Sequence, residues 1–295
     1  MRVYHFTNNI RVGFTKFYES IHSMGAIICF DFEDSIAADS ADIDIVRAKN
    51  QHRTTILEQL IECNSEIELS KIGFRINSFS SMNYKEDLKA LSLYGKTHTL
   101  FIPKVESARE LNTILNDISF SVNEIIPIIE TKRGFNNAQE ILSINDIRYK
   151  RIAFGHCDYN LSLKYFPFFH HDSSLYWNWI STLNEIAREC DKEIVNSPAL
   201  ELENEMLINY SKNKCQKFSQ VTGHISLCKM HTQVLCSDTF SGSSLAICSP
   251  NSSSPELFLS TFEKYKVVNK SFALTSDRKI ISPQERAMAI FKYNQ

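Results

Sequence analysis

Short apolar runs rich in β-branched residues recur along this chain, and stretches with apolar positions three and four apart separate them. The runs are MRVYHF, AIICFDFED, KIGFRINSF, HTLFIPKV, EIIPIIET, RIAFGHCDY, EIVNS and KFSQVTGH. Helical spacing appears at residues 54–61 (TTILEQLI), 88–93, 108–118 and 177–187. Residues 107–110 read SARE, a weak capping box that opens a helix directly after a strand. Parallel neighbours need long crossovers, so the alternation predicts a parallel sheet covered by helices. About eight units favour a closed (β/α)8 TIM barrel over an open doubly wound sheet. An open sheet would favour a Gly-rich loop after the first strand, yet the chain has only 8 glycines and neither a GxGxxG nor a P-loop motif. The barrel is expected over residues 1–236. A Ser-, Asn-, Gly- and Pro-rich loop or linker follows over 237–255, then a short C-terminal helical appendage over 256–295. That tail reads as one helix (257–265), a hairpin (272–281) and a final helix starting near Pro283.

The bulk properties remove some function classes. A formal net charge of -2 gives no electrostatic reason to expect nucleic acid or a membrane surface as partner. The 8 cysteines are scattered without a CxxC pair. The N-terminal MRVYHFTNNI has no apolar signal core, and no apolar run is long enough to span a bilayer. The expectation is a soluble cytoplasmic protein with reduced thiols.

Catalytic groups of a parallel barrel project from the C-terminal ends of its strands. Here charge falls at five successive ends. Strand two ends in Asp31-Phe32-Glu33-Asp34, strand three carries Arg75 and Asn77, strand four ends in Lys104, strand five ends in Glu130, and strand six runs into Asp158. A single such residue is as readily a solvated strand end or half of an ion pair. Together they suggest a site. Glu130 and Asp158 on neighbouring strands suit Mg²⁺, which keeps waters and substrate oxygens in its shell. Arg75 offers a planar fork to a substrate carboxylate. A metal chelated by an α-oxo acid polarises the carbonyl and stabilises an enolate, which is carbon–carbon lyase or aldolase chemistry.

The same residues resemble motifs of the citrate lyase beta-subunit family within the HpcH/HpaI aldolase group. DFEDS resembles DLED, FRINS resembles RVN, FIPKVES resembles LPKVES, IIETKRG resembles IETARG, and AFGHCDY resembles AFGxxDY, in the family's order. More weakly, LTSDRKIISP resembles LDGKMIDAP. The resemblance implies a (β/α)8 barrel, often trimeric, with Mg²⁺ held by Glu130 and Asp158 and with Arg75 on the substrate. It implies cleavage or condensation of oxo-acids or hydroxy-acids, in some members as CoA thioesters. The expected site is therefore Arg75, Glu33, Asp34 and Lys104 in catalytic or rim-ordering roles, Arg75 and Glu130 on substrate, and Glu130 and Asp158 on metal. Alternatives on the same scaffold are an acyl-CoA thioester hydrolase or synthase, or a non-catalytic barrel that binds a small acid. Departures from the pattern weaken the CoA reading. The first loop reads TNNIR instead of PGNRP, keeping Arg11 but losing the Pro-Gly turn. Cys157 replaces an acid, IHPSQ survives as MHTQV, and Ser282 stands where the tail motif carries a carboxyl.

Three further features compete. His224, Cys228, His231 and Cys236 form an H-x3-C-x2-H-x4-C pattern like a zinc ligand set, but its spacing fits no common finger and loop or core side chains are the better reading. Cys157 adjoins His156, but strand neighbours point to opposite faces, so His156 is expected to be poorly placed to activate the thiol. His170-His171 sits in an aromatic insertion expected to cover the barrel mouth. For Lys104, an ion pair with Glu33 or Asp34 is preferred over a Schiff base.

Overall fold

The structure, a computed structural model, describes residues 1–8, 10, 13–33, 42–63, 67–68, 71–237, 254–267 and 270–295. Eight parallel strands close into a barrel: β1 (Arg2–Thr7), β2 (Ile27–Asp31), β3 (Gly73–Arg75), β4 (Lys96–Ile102), β5 (Ser121–Ile129), β6 (Arg151–Phe154), β7 (Glu193–Asn196) and β8 (Val221–Ser226). Closure comes from β8 pairing with β1, in register from Arg2↔Gly223 to His5↔Ser226. Around the strands run α1 (Phe14–His22), α2 (Asp42–Glu62), α3 (Tyr84–Tyr94), α4 (Ala108–Asp117), α5 (Lys132–Asn136), α6 (Ala138–Leu142), α7 (His156–Ser162), α8 (Ser174–Glu189), α9 (Glu205–Cys215) and α10 (Lys229–Cys236). The (β/α)8 expectation therefore holds.

The strands read as near-continuous apolar runs because both of their faces are buried. Outward residues such as Ile28, Phe30, Phe74, Ile125 and Ile152 pack against the helices. Inward residues Tyr4, Cys29, Phe101, Ile126, Ile128, Ala153, Val195 and Ile225 form a separate core inside the barrel. That interior is tight at Gly73, where a Cβ would fall 2.6 Å from Cys29 Sγ and 3.1 Å from Thr99 O. Each of the eight runs overlaps its strand, although β4 and β5 begin before their runs and β1 and β8 end after theirs. The SARE cap is half formed: Ser107 Oγ accepts the Glu110 N–H (3.2 Å), while the Glu110 carboxylate accepts from Glu106 N–H (3.1 Å), one residue early. The first helix carried no expectation, although Phe14, Tyr18 and Ile21 supply a buried stripe at helical spacing.

One boundary differs in a way that matters. RIAFGHCDY was expected to run as strand to Asp158, but β6 stops at Phe154, and His156, Cys157 and Asp158 form the start of α7. The turn falls at Gly155, whose N–H still pairs with Ile129 O (3.1 Å).

The tail contains α11 (Pro255–Tyr265), the hairpin β9 (Ala273–Leu274) with β10 (Ile280–Ile281), and α12 (Pro283–Tyr293). Both helices begin on serine caps, Ser254 and Ser282, with proline in the first turn. Phe262, Ala273 and Ile281 make a small core of their own. The hairpin is bonded to the loop after β7: Ile280 N–H donates to Leu200 O (2.8 Å) and Leu202 N–H to Arg278 O (3.0 Å). Of the Ser-rich linker expected over 237–255, residues 238–253 lie outside the described residues, and Pro255 already belongs to α11. Among the described residues no helix is long and apolar enough to cross a membrane.

The barrel floor is ionic. Glu124 points inward from β5 and accepts from Tyr4 OH (2.7 Å), from Arg2 Nη1 (3.4 Å) and from Arg151 Nη1, and Arg151 also pairs with Glu193 (2.5 Å). Burial and the Glu124 carboxylate push the Tyr4 hydroxyl far above its usual range. Removing Glu124 takes away one of the two carboxylates that pair with Arg151 and the buried acceptor of Tyr4 OH, so Glu124→Ala should cost about 3–5 kcal/mol in urea unfolding. Arg2→Ala should cost below about 1 kcal/mol, because the Arg2 side chain is 41% exposed.

A candidate active site at the barrel mouth

The C-terminal ends of β2 to β6 bring five of the six expected site residues together; Asp34, the sixth, lies outside the described residues, as does Arg11. Asp31 and Arg75 are register partners at the ends of β2 and β3. Arg75 donates through Nε to Asp31 Oδ1 (2.8 Å) and through Nη2 to Asp31 Oδ2 (2.6 Å), a bidentate fork, and Nη1 lies 3.1 Å from Glu33 Oε2. Asp31 Oδ1 also accepts the Glu33 N–H (3.0 Å), which shapes the turn of DFED. The fork expected for a substrate carboxylate thus already holds Asp31, and Asp31 is a site residue that sequence reasoning did not single out. Three acids within four residues gave no means of choosing among them without the register.

Asn77 also plays a part. Its N–H (2.6 Å) and Nδ2 (2.8 Å) both donate to Asp87 Oδ2, and Nδ2 donates to Phe32 O (3.1 Å). Arg53 Nε holds the other Asp87 oxygen (2.6 Å). Asn77 therefore clamps the end of β3 to the turn after β2, and so steadies Arg75.

Lys104 follows β4 with φ 54°, a left-handed conformation. Its backbone N–H donates to Glu130 Oε1 (2.8 Å), while Nζ lies 2.9 Å from Glu33 Oε1 and 3.5 Å from Asp158 Oδ1. The expected Lys104–Glu33 pair is present. Glu130, directly after β5, is 3% exposed. It lies against Gly155, where an added Cβ would fall 2.6 Å from Glu130 Cβ. Only glycine leaves that space.

Among the described residues, four carboxylates (Asp31, Glu33, Glu130, Asp158) here meet two cations (Arg75, Lys104). Burial, then the Asp158 and Glu33 charges, push the Glu130 carboxyl well above its ordinary range, against the opposing pull of Lys104 and Arg75. No three His, Cys, Asp or Glu side chains among the described residues group as a metal cage. Two hard oxygen donors with an excess of negative charge fit Mg²⁺, which takes one or two carboxylates and fills the rest of its shell with water and substrate. The Gly155 cradle around Glu130 and the excess of four carboxylates over two cations support that fit.

Asp158 stands in the first turn of α7, and its Oδ2 accepts from Gln284 Nε2 of α12 (2.9 Å). Gln284 is a second group that sequence reasoning missed, since no spacing signal links positions so far apart. Ser282, the position where a carboxyl was expected, caps α12 by accepting the Glu285 N–H (3.1 Å). His156 and Cys157 share the start of α7, with Cys157 Sγ 3.6 Å from His156 Nε2; the expected separation onto opposite strand faces is corrected, because this segment is helical.

His156 Nε2 lies 3.0 Å from His170 Nδ1, and His171 Nε2 lies 3.1 Å from Ser197 O, so the aromatic insertion packs onto the rim. The zinc-like set is dispersed into separate contacts: His224 to Asn196 (3.4 Å), Cys228 to Leu202 O (3.3 Å) and His231 to Glu201 O (3.1 Å). A cavity of about 680 Å³ opens over the rim, lined by Asp31, Arg75, Glu130 and Asp158 at its base and by Phe272 and Ile280 of the hairpin.

The family model described as HpcH/HpaI aldolase/citrate lyase matches residues 19–190. No curated protein sequence matches the chain. Similar solved structures include RipC from Yersinia pestis, with TM-score 0.61, 19% identity, and coverage of 81% of this chain and 95% of that one. A citrate lyase beta subunit from Mycobacterium tuberculosis, complexed with oxaloacetate and magnesium, gives TM-score 0.60 at 16% identity, covering 79% and 94%. A citrate lyase from Burkholderia xenovorans gives 0.63 at 12% identity, covering 99% and 89%. At such identities the structural likeness is one of fold.

Two pH effects follow from the buried groups. Burial lowers His171 from 6.5 to about 3, His224 from 6.5 to about 3 and His5 from 6.5 to about 4. A depressed folded-state pKa means this stability is complete above 6.5 and is lost as pH falls towards 3. Tm should therefore fall on acidification from about pH 7 to about pH 5.5, where few carboxylates titrate, and less steeply in His171→Asn. Glu130 has the opposite sign. Its raised folded-state pKa makes the ionised form a cost that grows as pH rises through that value. In chelator at about pH 8, Glu130→Gln should melt higher than the wild type.

Proposed function

The chain belongs to the HpcH/HpaI aldolase/citrate lyase family, and from that premise we propose that it is a Mg²⁺-dependent carbon–carbon lyase or aldolase acting on an oxo-acid or hydroxy-acid. The observation that carries this reading is the closely placed carboxylates of Glu130 and Asp158 on a rim where, among the described residues, four carboxylates share the two cations Arg75 and Lys104. The M. tuberculosis citrate lyase beta subunit complexed with oxaloacetate and magnesium suggests the kind of ligand to test.

Glu130 and Asp158 would hold the metal. When bound, the metal supplies Lewis acidity towards a carbonyl oxygen and charge stabilisation at the reacting centre. Arg75, fixed by Asp31 on two of its nitrogens, presents its guanidinium at the base of the cavity, where it attracts a substrate carboxylate without having to reorganise. Lys104 neutralises Glu33 and so keeps that carboxylate from repelling an anionic substrate. The hairpin side chains Phe272 and Ile280 give the cavity an apolar wall.

Cleavage or condensation is best assayed with a panel of oxaloacetate, pyruvate and glyoxylate donors and the hydroxy-acids they form. Glu130→Gln and Asp158→Asn should each lower kcat/KM by about a hundredfold or more, in line with the several kcal/mol such a metal supplies. Both should also abolish Mg²⁺-induced thermal stabilisation. Unchanged turnover and Mg²⁺ affinity in both variants would rule the reading out. Crystals soaked with Mg²⁺ and each acid would show which acid chelates.

A further inference from the structure

Gln284 reaches Asp158 from the C-terminal appendage, across 126 residues of sequence. The element that carries it is well fixed. Ile280, at the start of β10, is bonded to Leu200 on the barrel, and Ser282 caps α12 in the next turn of chain. Pro283 occupies the first turn of the helix, and Gln284 follows it directly. A second contact lies one residue on. Glu285 Oε1 is 3.9 Å from His170 Nε2, and His170 Nδ1 is 3.0 Å from His156 Nε2, in the same turn of α7 as Asp158. The first turn of α12 thus meets the first turn of α7 at Asp158 directly, and again through His170.

We propose that Gln284 is a positioning residue for the metal site: its amide fixes the Asp158 carboxylate, so that Mg²⁺ affinity depends on the docking of α12. The proposal rests on the metal reading above. Its chemical basis is the type of donor. Lys104 approaches Asp158 Oδ1 with a charge that competes with a cation. The Gln284 amide is neutral: it orients Oδ2 by a single 2.9 Å bond and leaves the carboxylate's negative charge intact for the metal. Neutral groups that orient a ligand in this way typically affect metal affinity about 10–100-fold when removed. By linkage the coupling is reciprocal, so bound metal should strengthen the docking of α12.

The test compares full-length wild type, Gln284→Met, Gln284→Ala and Asp158→Asn. Methionine keeps the length of glutamine and removes the donor, and alanine serves if methionine disturbs the fold. Mg²⁺ titration calorimetry should show affinity weakened about 10–100-fold in the Gln284 variants, with Tm in chelator unchanged. Hydrogen exchange should show Mg²⁺ slowing the amides of α12 in wild type but not in Gln284→Met, an effect that simple loss of packing would not produce. Mg²⁺ affinity within about twofold of wild type in both Gln284 variants, with binding lost in Asp158→Asn, overturns the positioning role and leaves the metal reading standing. Wild-type affinity in Asp158→Asn overturns the metal reading and the inference with it.

Discussion

The rim is organised around Lys104. Its left-handed backbone, at a cost of about 1–2 kcal/mol for a non-glycine residue, sends the N–H and the ammonium in different useful directions. The N–H holds Glu130, and the ammonium lies between Glu33 and Asp158. One residue therefore touches three carboxylates that come from three different elements. Arg75 works from the other side, gripping Asp31 and sharing Glu33. The mouth is divided as a result. One half is ion-paired around Asp31 and Glu33, and the other keeps an excess of negative charge at Glu130 and Asp158.

Two carboxylates of β5 and its end show how deliberate that division is. Glu124 and Glu130 are an even number of positions apart, so both face inward. Glu124 meets two arginines and a tyrosine at the floor. Glu130 receives a backbone N–H and shares cations with other acids, and its carboxyl is driven upward by burial and by its neighbours. The floor arrangement favours stability. The mouth arrangement is costly in the protein alone and would be relieved by a cation, the pattern expected where a site is held at the expense of stability.

The strand ends made much of this legible in the sequence. Apolar runs of period-independent character announced strands buried on both faces, and a charge directly after such a run, as at Glu130 and Lys104, marked the mouth. Where a choice depended on register, the sequence was silent: DFED offers three acids, and only the β2–β3 pairing selects Asp31 for Arg75. Where a strand turned into a helix at Gly155, a two-residue alternation assigned to His156 and Cys157 was misplaced, because helical neighbours can face the same space. The α1 stripe was present but short, and lay hidden between two stronger strand signals.

Gln284 exposes a more general limit. Groups delivered to a barrel mouth by an appended element have no period in common with the strands, so strand-end reasoning cannot find them. The same appendage changes the physics of what the strands deliver. Phe272 and Ile280 of the hairpin line the space above the carboxylates. Apolar side chains in that position favour a lower local dielectric, which raises the cost of unbalanced charge. It also strengthens the attraction of those carboxylates for a cation or an orienting amide. On the proposed reading, the charge at Glu130 and Asp158 is costly in the protein alone and attractive to a cation for one electrostatic reason, and the hairpin beside it leads into α12, whose Gln284 bonds Asp158.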